Sequence, residues 1–135
     1  MNNISVLVDT SVWINFFKDI NTDASAFLTN NITEIDIVTC PVIIQEVLQG
    51  VVTDTDELIV KTHFSKLIRL IEDPYILAID AAKLYRNLRK KGITIRKPND
   101  CLIAVYAIKN DISLLHDDKD FTNIAAFSDL KTVQV

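Results

Sequence analysis

Glycine, proline and cysteine are scarce in this sequence, which has 2, 3 and 2 of them among 135 residues. The lack of glycine and proline argues against disordered segments, linkers or an all-β sandwich. Cys40 and Cys101 form no Cys-x-x-Cys motif, so we predict two reduced thiols in the core. No apolar run approaches the roughly 20 residues of a membrane span, and the N-terminus lacks the basic start and cleavage site of a signal peptide. We therefore expect a cytoplasmic location without a membrane partner.

Motifs for nucleotide cofactors and for zinc are also missing. The sequence has neither a P-loop nor a dinucleotide fingerprint, and no His/Cys pattern suits zinc. The net charge of −4 argues against binding of nucleic acid through bulk electrostatics. Because a cluster of acids that binds a cation also makes a chain acidic, the distribution of charge is more informative than its sum.

What the sequence does have is a regular alternation of apolar strands and amphipathic helices, with 49% hydrophobic residues. Ile4–Val8 is predicted as a buried strand, with Thr10 or Ser11 capping the helix that follows. Another helix is predicted from the polar segment Thr53–Asp56 to about Ile71. The later predicted strands are Glu34–Val38, Ile112–Leu115 and Thr132–Val135. This order indicates one domain over residues 1–135, of the three-layer α/β/α class with a mainly parallel sheet.

Four acids fall at corresponding places in this pattern. Asp9 directly follows the first strand, Glu46 lies in the helix after the second, Asp100 opens a helix, and Asp118 follows the third strand. Because the carboxyl ends of parallel strands share one edge, we expect these acids to meet. Like charges in one site raise pKa values, and a bound divalent cation removes that penalty. Carboxylate ligands favour Mg²⁺, with Mn²⁺ as the alternative.

Other interpretations of these acids stay open. Each acid by itself is compatible with a helix cap or a solvated loop. The domain as a whole also fits a non-catalytic α/β binding module, whose acidic pocket pairs with a basic partner segment. A third hypothesis is a phosphatase or phospho-receiver with an aspartyl nucleophile at Asp9. That class expects a second Asp two residues later, where Ser11 stands.

Four motifs resemble those of a known family. They are Val8-Asp-Thr-Ser-Val-Trp-Ile14, Ile44-Gln-Glu-Val-Leu-Gln-Gly50, Pro98-Asn-Asp-Cys-Leu-Ile-Ala104 and Leu114-Leu-His-Asp-Asp-Lys-Asp-Phe121. Together they resemble a PIN domain, and more closely the VapC-type ribonuclease toxins of bacterial toxin–antitoxin pairs. The resemblance implies a metal-dependent, single-strand-directed endoribonuclease that hydrolyses RNA phosphodiester bonds. It also implies a homodimer and a VapB-like antitoxin, which blocks the acidic pocket, often with an Arg.

The resemblance carries the family's acids onto particular residues of this chain. It makes Asp9, Glu46, Asp100 and Asp118 catalytic, with Asp9 and Asp100 as the principal Mg²⁺ ligands and Asp118 completing the metal site. Ser11 and Asp120 are implied as supporting residues. Because Asp117 is adjacent to Asp118, the identity of the fourth acid stays open.

A group of basic residues precedes Asp100. Six of the chain's 14 basic residues lie in this region: Arg86, Arg89, Lys90, Lys91, Arg96 and Lys97. A basic rim beside an acidic metal pocket positions phosphates, so Arg89, Arg96 and Lys97 are candidates for RNA binding. A solvated helix face is the alternative.

Overall fold

Strands and helices alternate along residues 3–135, the part of the chain that this computed structural model describes. The elements are β1 (Ile4–Val8), α1 (Thr10–Phe17), α2 (Asp23–Asn31), β2 (Ile35–Thr39), α3 (Pro41–Gln49), α4 (Asp54–Phe64), β3 (Ile68–Arg69), α5 (Pro74–Lys90), α6 (Asn99–Lys109), β4 (Ser113–Leu115) and α7 (Lys119–Ala126). The single domain over residues 1–135 stays a prediction, since residues 1 and 2 lie outside the described part.

The sheet is parallel and has four strands, in the order β3-β2-β1-β4. Consecutive strand residues point to opposite faces, so the burial of Val6, Leu7 and Val8 shows that helices cover both faces of β1. This confirms the predicted α/β fold with a parallel sheet. The chain leaves β1 for β2 and later returns to the other side of β1 as β4. Such a switch point is where open α/β sheets bind ligands.

Two predicted elements differ from the structure. The helix predicted to reach Ile71 ends at Phe64, and the chain then forms the short edge strand β3. Ile68 and Ile71 are exposed, so their helical spacing does not mark a core-facing stripe. They belong to a segment whose main chain pairs with β2 instead. The predicted strand Thr132–Val135 is reduced to one parallel bridge, between its first residue and Leu114.

Helix α1, which begins after β1, packs against the hydrophobic core through Trp13. Trp13 is fully buried, and its ring meets the ring of Phe64 edge to face with centroids 5.1 Å apart. Truncation of such a buried Trp to Ala costs roughly 3–5 kcal/mol, so this contact fixes α1 against α4. Cys40 and Cys101 are free thiols in the same core, as predicted. Within residues 3–135, no helix is both long and apolar enough to cross a membrane.

Candidate metal centre

Asp9 is the first acid at the carboxyl end of the sheet. Its Oδ2 atom accepts hydrogen bonds from the main-chain N–H of Ser11, at 3.1 Å, and from the Ser11 hydroxyl, at 2.7 Å. The N–H of Asp9 donates to the carbonyl oxygen of Leu115, at the end of β4, over 2.9 Å. Asp9 is the N-cap of α1. The prediction of Thr10 or Ser11 as the cap was therefore wrong, because the carboxylate one position earlier satisfies the first turn.

The segment after β4 contributes two more carboxylates, whose side chains are each 8% exposed. Asp118 is the N-cap of α7, and its Oδ1 atom accepts a hydrogen bond from the N–H of Asp120 over 2.9 Å. Asp120 is buried in the first turn of the same helix. Asp117 is exposed, and its main-chain N–H donates to the Ser11 hydroxyl over 3.3 Å. The turn into α7 therefore buries the carboxylates of Asp118 and Asp120 and leaves that of Asp117 in solvent.

Asp100, in the first turn of α6, completes a group of three carboxylates that we call the acid cluster. Asp100, Asp118 and Asp120 each offer one oxygen atom, and these atoms lie within 4.8 Å of one another. Asp100 is only 3% exposed, and its Oδ2 atom has no hydrogen-bond partner within the described residues. A buried polar atom without a partner is costly, because its lost hydration is not replaced. The acid cluster is therefore suited to a positively charged ligand.

Burial and mutual repulsion shift the pKa values of these carboxyl groups. Burial, followed by the charge of Asp9, raises the pKa of Asp100 from 3.8 to about 7. Burial also raises the pKa of Asp9, although the hydrogen bonds from Ser11 oppose it. Burial acts in the same direction on Asp118, but the Asp120 N–H and the Lys97 ammonium outweigh it and hold the pKa of Asp118 below its usual value. The repulsion between Asp9 and Asp100 therefore favours a bound proton or cation at this site.

Glu46 reaches this region from α3. The hydroxyl of Thr10 donates to its Oε1 atom over 2.7 Å. The charge of Glu46 also contributes to the raised pKa of Asp9, which indicates that the two carboxylates are near each other. Thr10 thus positions Glu46, a role that sequence reasoning missed because no spacing rule relates a hydroxyl on α1 to an acid on α3.

A comparison with models of protein families matches residues 6–126 to the PIN domain. The chain belongs to the PIN domain family. Its relatives include Ribonuclease VapC11 of Mycobacterium tuberculosis (strain ATCC 25618 / H37Rv) and VapC ribonuclease Mb1587 of Mycobacterium bovis, each 33% identical over 128 residues. The matches cover 93% of this chain and 96% of each relative. They place this PIN domain among the VapC ribonucleases, as the four motifs predicted.

The PIN-like fold is shared with solved VapBC structures. The structure of VapBC2 from Rickettsia felis, bound to a DNA fragment from their promoter, contains a chain with a TM-score of 0.73 and 16% identity, and the match covers 96% of this chain and 98% of that one. VapBC-1 from nontypeable Haemophilus influenzae gives a TM-score of 0.72 at 18% identity, over 96% of this chain and 97% of that one. At these identities the likeness establishes the fold.

The acids predicted from the sequence of this PIN domain are only partly brought together. Asp100 and Asp118, predicted as catalytic and metal-binding, join Asp120, which was predicted only as supporting. Asp9 lies outside the group whose ligand atoms are within 4.8 Å, although its charge acts on Asp100. Glu46 adjoins Asp9 rather than the acid cluster. The catalytic and metal-binding roles themselves stay predictions.

Two of the three basic residues predicted to bind RNA contact the acids of the PIN domain. Arg96 and Lys97 form ion pairs with carboxylates of the acid cluster. The guanidinium of Arg89 instead lies over the ring of Tyr85, 5.7 Å from its centroid. RNA binding by these three residues stays a prediction.

Proposed function

We propose that this VapC ribonuclease is an endoribonuclease toxin that depends on Mg²⁺, with Mn²⁺ as an alternative, and that it acts on single-stranded RNA. One observation carries the metal dependence: oxygen atoms of three carboxylates lie within 4.8 Å of one another, and one of these residues, Asp100, has a buried oxygen with no partner among the described residues. Every ligand atom in that group is a carboxylate oxygen, which suits Mg²⁺ or Mn²⁺. The relatives named ribonucleases support RNA as the substrate.

The roles of the acids follow from their positions. Asp100 and Asp118, with Asp9 beside them, would hold the cation, and Asp120 would add a further oxygen or fix the turn into α7. A bound divalent cation polarises a phosphoryl oxygen and offsets the charge that develops during in-line attack. We propose Glu46, which accepts a hydrogen bond from the Thr10 hydroxyl, as the group that takes the proton of the attacking water. Attack of that water on phosphorus, with loss of the 3′-oxygen, leaves a 5′-phosphate end.

We propose the cytoplasm as the place of action, a homodimer as the working form, and a VapB-like antitoxin as the partner. The solved VapBC structures with this fold support the partner. The acid cluster also binds a guanidinium within its own chain, because Arg96 contacts both Asp118 and Asp120. An antitoxin Arg that enters the same hollow would find matching carboxylates.

Removal of the metal and substitution of one acid test this proposal together. We expect the purified chain to cleave single-stranded RNA with Mg²⁺, and to lose the activity in excess EDTA. Asp118→Asn should reduce the cleavage rate by about a hundredfold or more, because it removes a ligand charge while Asn still caps α7. Electrophoresis of a labelled RNA measures both effects.

The matched control is Asp117→Asn, which removes the same charge from the exposed neighbouring residue. It should cleave within about threefold of the wild-type rate, as expected for an exposed charge outside the site. Full activity in EDTA would rule out the metal mechanism. A protein that never cleaves RNA, yet binds a basic antitoxin-like peptide, would favour the non-catalytic binding module instead.

A further inference from the structure

The acid cluster already has cationic partners, and both come from the loop before α6. The Lys97 ammonium lies 3.0 Å from Oδ2 of Asp118. Arg96 reaches Asp118 with one guanidinium nitrogen at 3.6 Å. Its Nε and its main-chain N–H both approach Oδ2 of Asp120 at 3.4 Å. The carboxylates are 8% exposed, whereas the side chains of Arg96 and Lys97 are 71% and 58% exposed.

The three carboxylates of the acid cluster differ in whether they form an ion pair with these cations. Asp118 and Asp120 each have an ion-pair partner, but the buried Oδ2 atom of Asp100 has none within the described residues. Ile95, 2% exposed, anchors the loop directly before the two cationic residues. Arg96 holds Asp120 partly through its main chain, which cannot leave without moving the loop. Among the contacts of residues 3–135, Lys97 reaches Asp118 through an exposed side chain, which can leave without moving the loop.

We propose that Lys97 and the divalent cation compete for Asp118, so that Lys97 is a positioning residue that neutralises the acid cluster in the metal-free protein and is released when the cation binds. This inference rests on the proposed function. A divalent ion on Asp100 and Asp118 repels an ammonium within a few ångström. The released ammonium stays tethered beside the metal site, at the place where an incoming RNA phosphate arrives.

The direct test is the affinity for Mn²⁺, measured by isothermal titration calorimetry without RNA. Lys97→Met removes the competing ammonium and keeps an unbranched side chain, so it should bind Mn²⁺ about three- to fivefold more tightly than the wild type. The matched control is Lys119→Met, which removes the same charge next to Asp118. Lys119 is exposed and has no ion pair in the described part of the chain. Its variant should stay within about twofold of the wild type, because exposed charges interact weakly.

Thermal melting in EDTA gives a second, independent readout. Lys97→Met should melt below the wild type, because the negative charge on Asp118 loses the nearer of its two cationic partners in the described chain and keeps only Arg96. Lys119→Met should melt at the same temperature or higher, since it removes a cation from a helix N-terminus. A variant that melts cooperatively is folded, so its calorimetry can be interpreted.

Measurements of RNA binding distinguish competition between Lys97 and the cation from permanent attraction of Lys97 to the RNA phosphates. The probe is a single-stranded RNA with Ca²⁺ in place of Mg²⁺, checked by electrophoresis to be intact. Lys97→Met should weaken binding about three- to fivefold with Ca²⁺ present, when the ammonium is released, and have little effect in EDTA.

Two outcomes would overturn the inference, and they are distinguishable from a failure of the proposed function. Equal Mn²⁺ affinities for Lys97→Met and Lys119→Met would rule out competition at Asp118 and leave the ribonuclease proposal intact. A loss of RNA affinity in Lys97→Met of the same size with Ca²⁺ and with EDTA would show that Lys97 binds phosphate permanently. A wild-type chain that binds no Mn²⁺ would instead refute the metal site itself, and the competition with it.

Discussion

A chain that carries Asp100→Asn should lose about a hundredfold or more of its ribonuclease activity, and yet melt at a higher temperature than the wild type in EDTA at pH 8. Asp100 is buried, and one of its oxygens has no partner among the described residues. At pH 8 its carboxyl is charged, because its pKa is about 7. The neutral amide removes both the cost of burying that charge and the repulsion from Asp9.

A charge that serves function rather than folding is identified by a substitution that lowers activity and raises thermal stability. The experiment combines RNA cleavage in Mg²⁺ with thermal melting in EDTA, and we expect an increase of roughly 3 °C or more in melting temperature. Asp129→Asn, which changes an exposed acid, is the control and should alter neither quantity. An Asp100→Asn protein that cleaves at the wild-type rate would remove Asp100 from the metal site. One that melts below the wild type at pH 8 would show that its charge stabilises the fold.

The affinity for Mn²⁺ should rise about tenfold per pH unit below pH 7 and level off above it. The cation must displace the proton of Asp100, whose pKa is about 7 because of burial and the nearby charge of Asp9. Calorimetry at pH 6 in buffers of different ionisation enthalpy should show release of about one proton per ion.

The metal-free protein should show the opposite pH dependence in its stability. Asp100 has a raised pKa in the folded chain, so between about pH 4 and pH 7 the native state keeps a proton that the unfolded chain has lost. The free energy of unfolding in EDTA therefore falls as the pH rises through this window. Asp100→Asn should flatten that decrease. A Mn²⁺ affinity independent of pH between 5.5 and 7 would contradict the raised pKa.

The sequence was sufficient to predict the position of β1 and the meeting of acids at its carboxyl end. Val6, Leu7 and Val8 form an apolar run, which is typical of a strand buried on both faces, and all three are buried. Because β1 and β4 are parallel neighbours, the residues that follow them must share one edge of the sheet. The edge strand β3 could not be predicted, since its two exposed residues continue a helical spacing and form a strand only by pairing with β2.

The grouping of the side chains within the site also depended on the tertiary structure. Oδ2 of Asp9 accepts hydrogen bonds from the N–H and hydroxyl of Ser11, and Asp9 lies outside the group of closest ligand atoms. Asp120 joins that group because the first turn of α7 points it inward. Such orientations follow from local hydrogen bonds, which the spacing of residues in a sequence does not determine. The ion pairs of Arg96 and Lys97 depend in the same way on the path of the loop before α6.

Anomalous diffraction from a crystal soaked in Mn²⁺ would locate the cation without reference to activity. We predict a peak among the carboxylates of Asp100, Asp118 and Asp120, about 2.0–2.3 Å from at least two of their oxygens. One of these should be the Oδ2 atom of Asp100, which has no hydrogen-bond partner among residues 3–135. A Mn²⁺ peak elsewhere, or no peak at a concentration that supports cleavage, would contradict the assignment of the acid cluster as the metal centre.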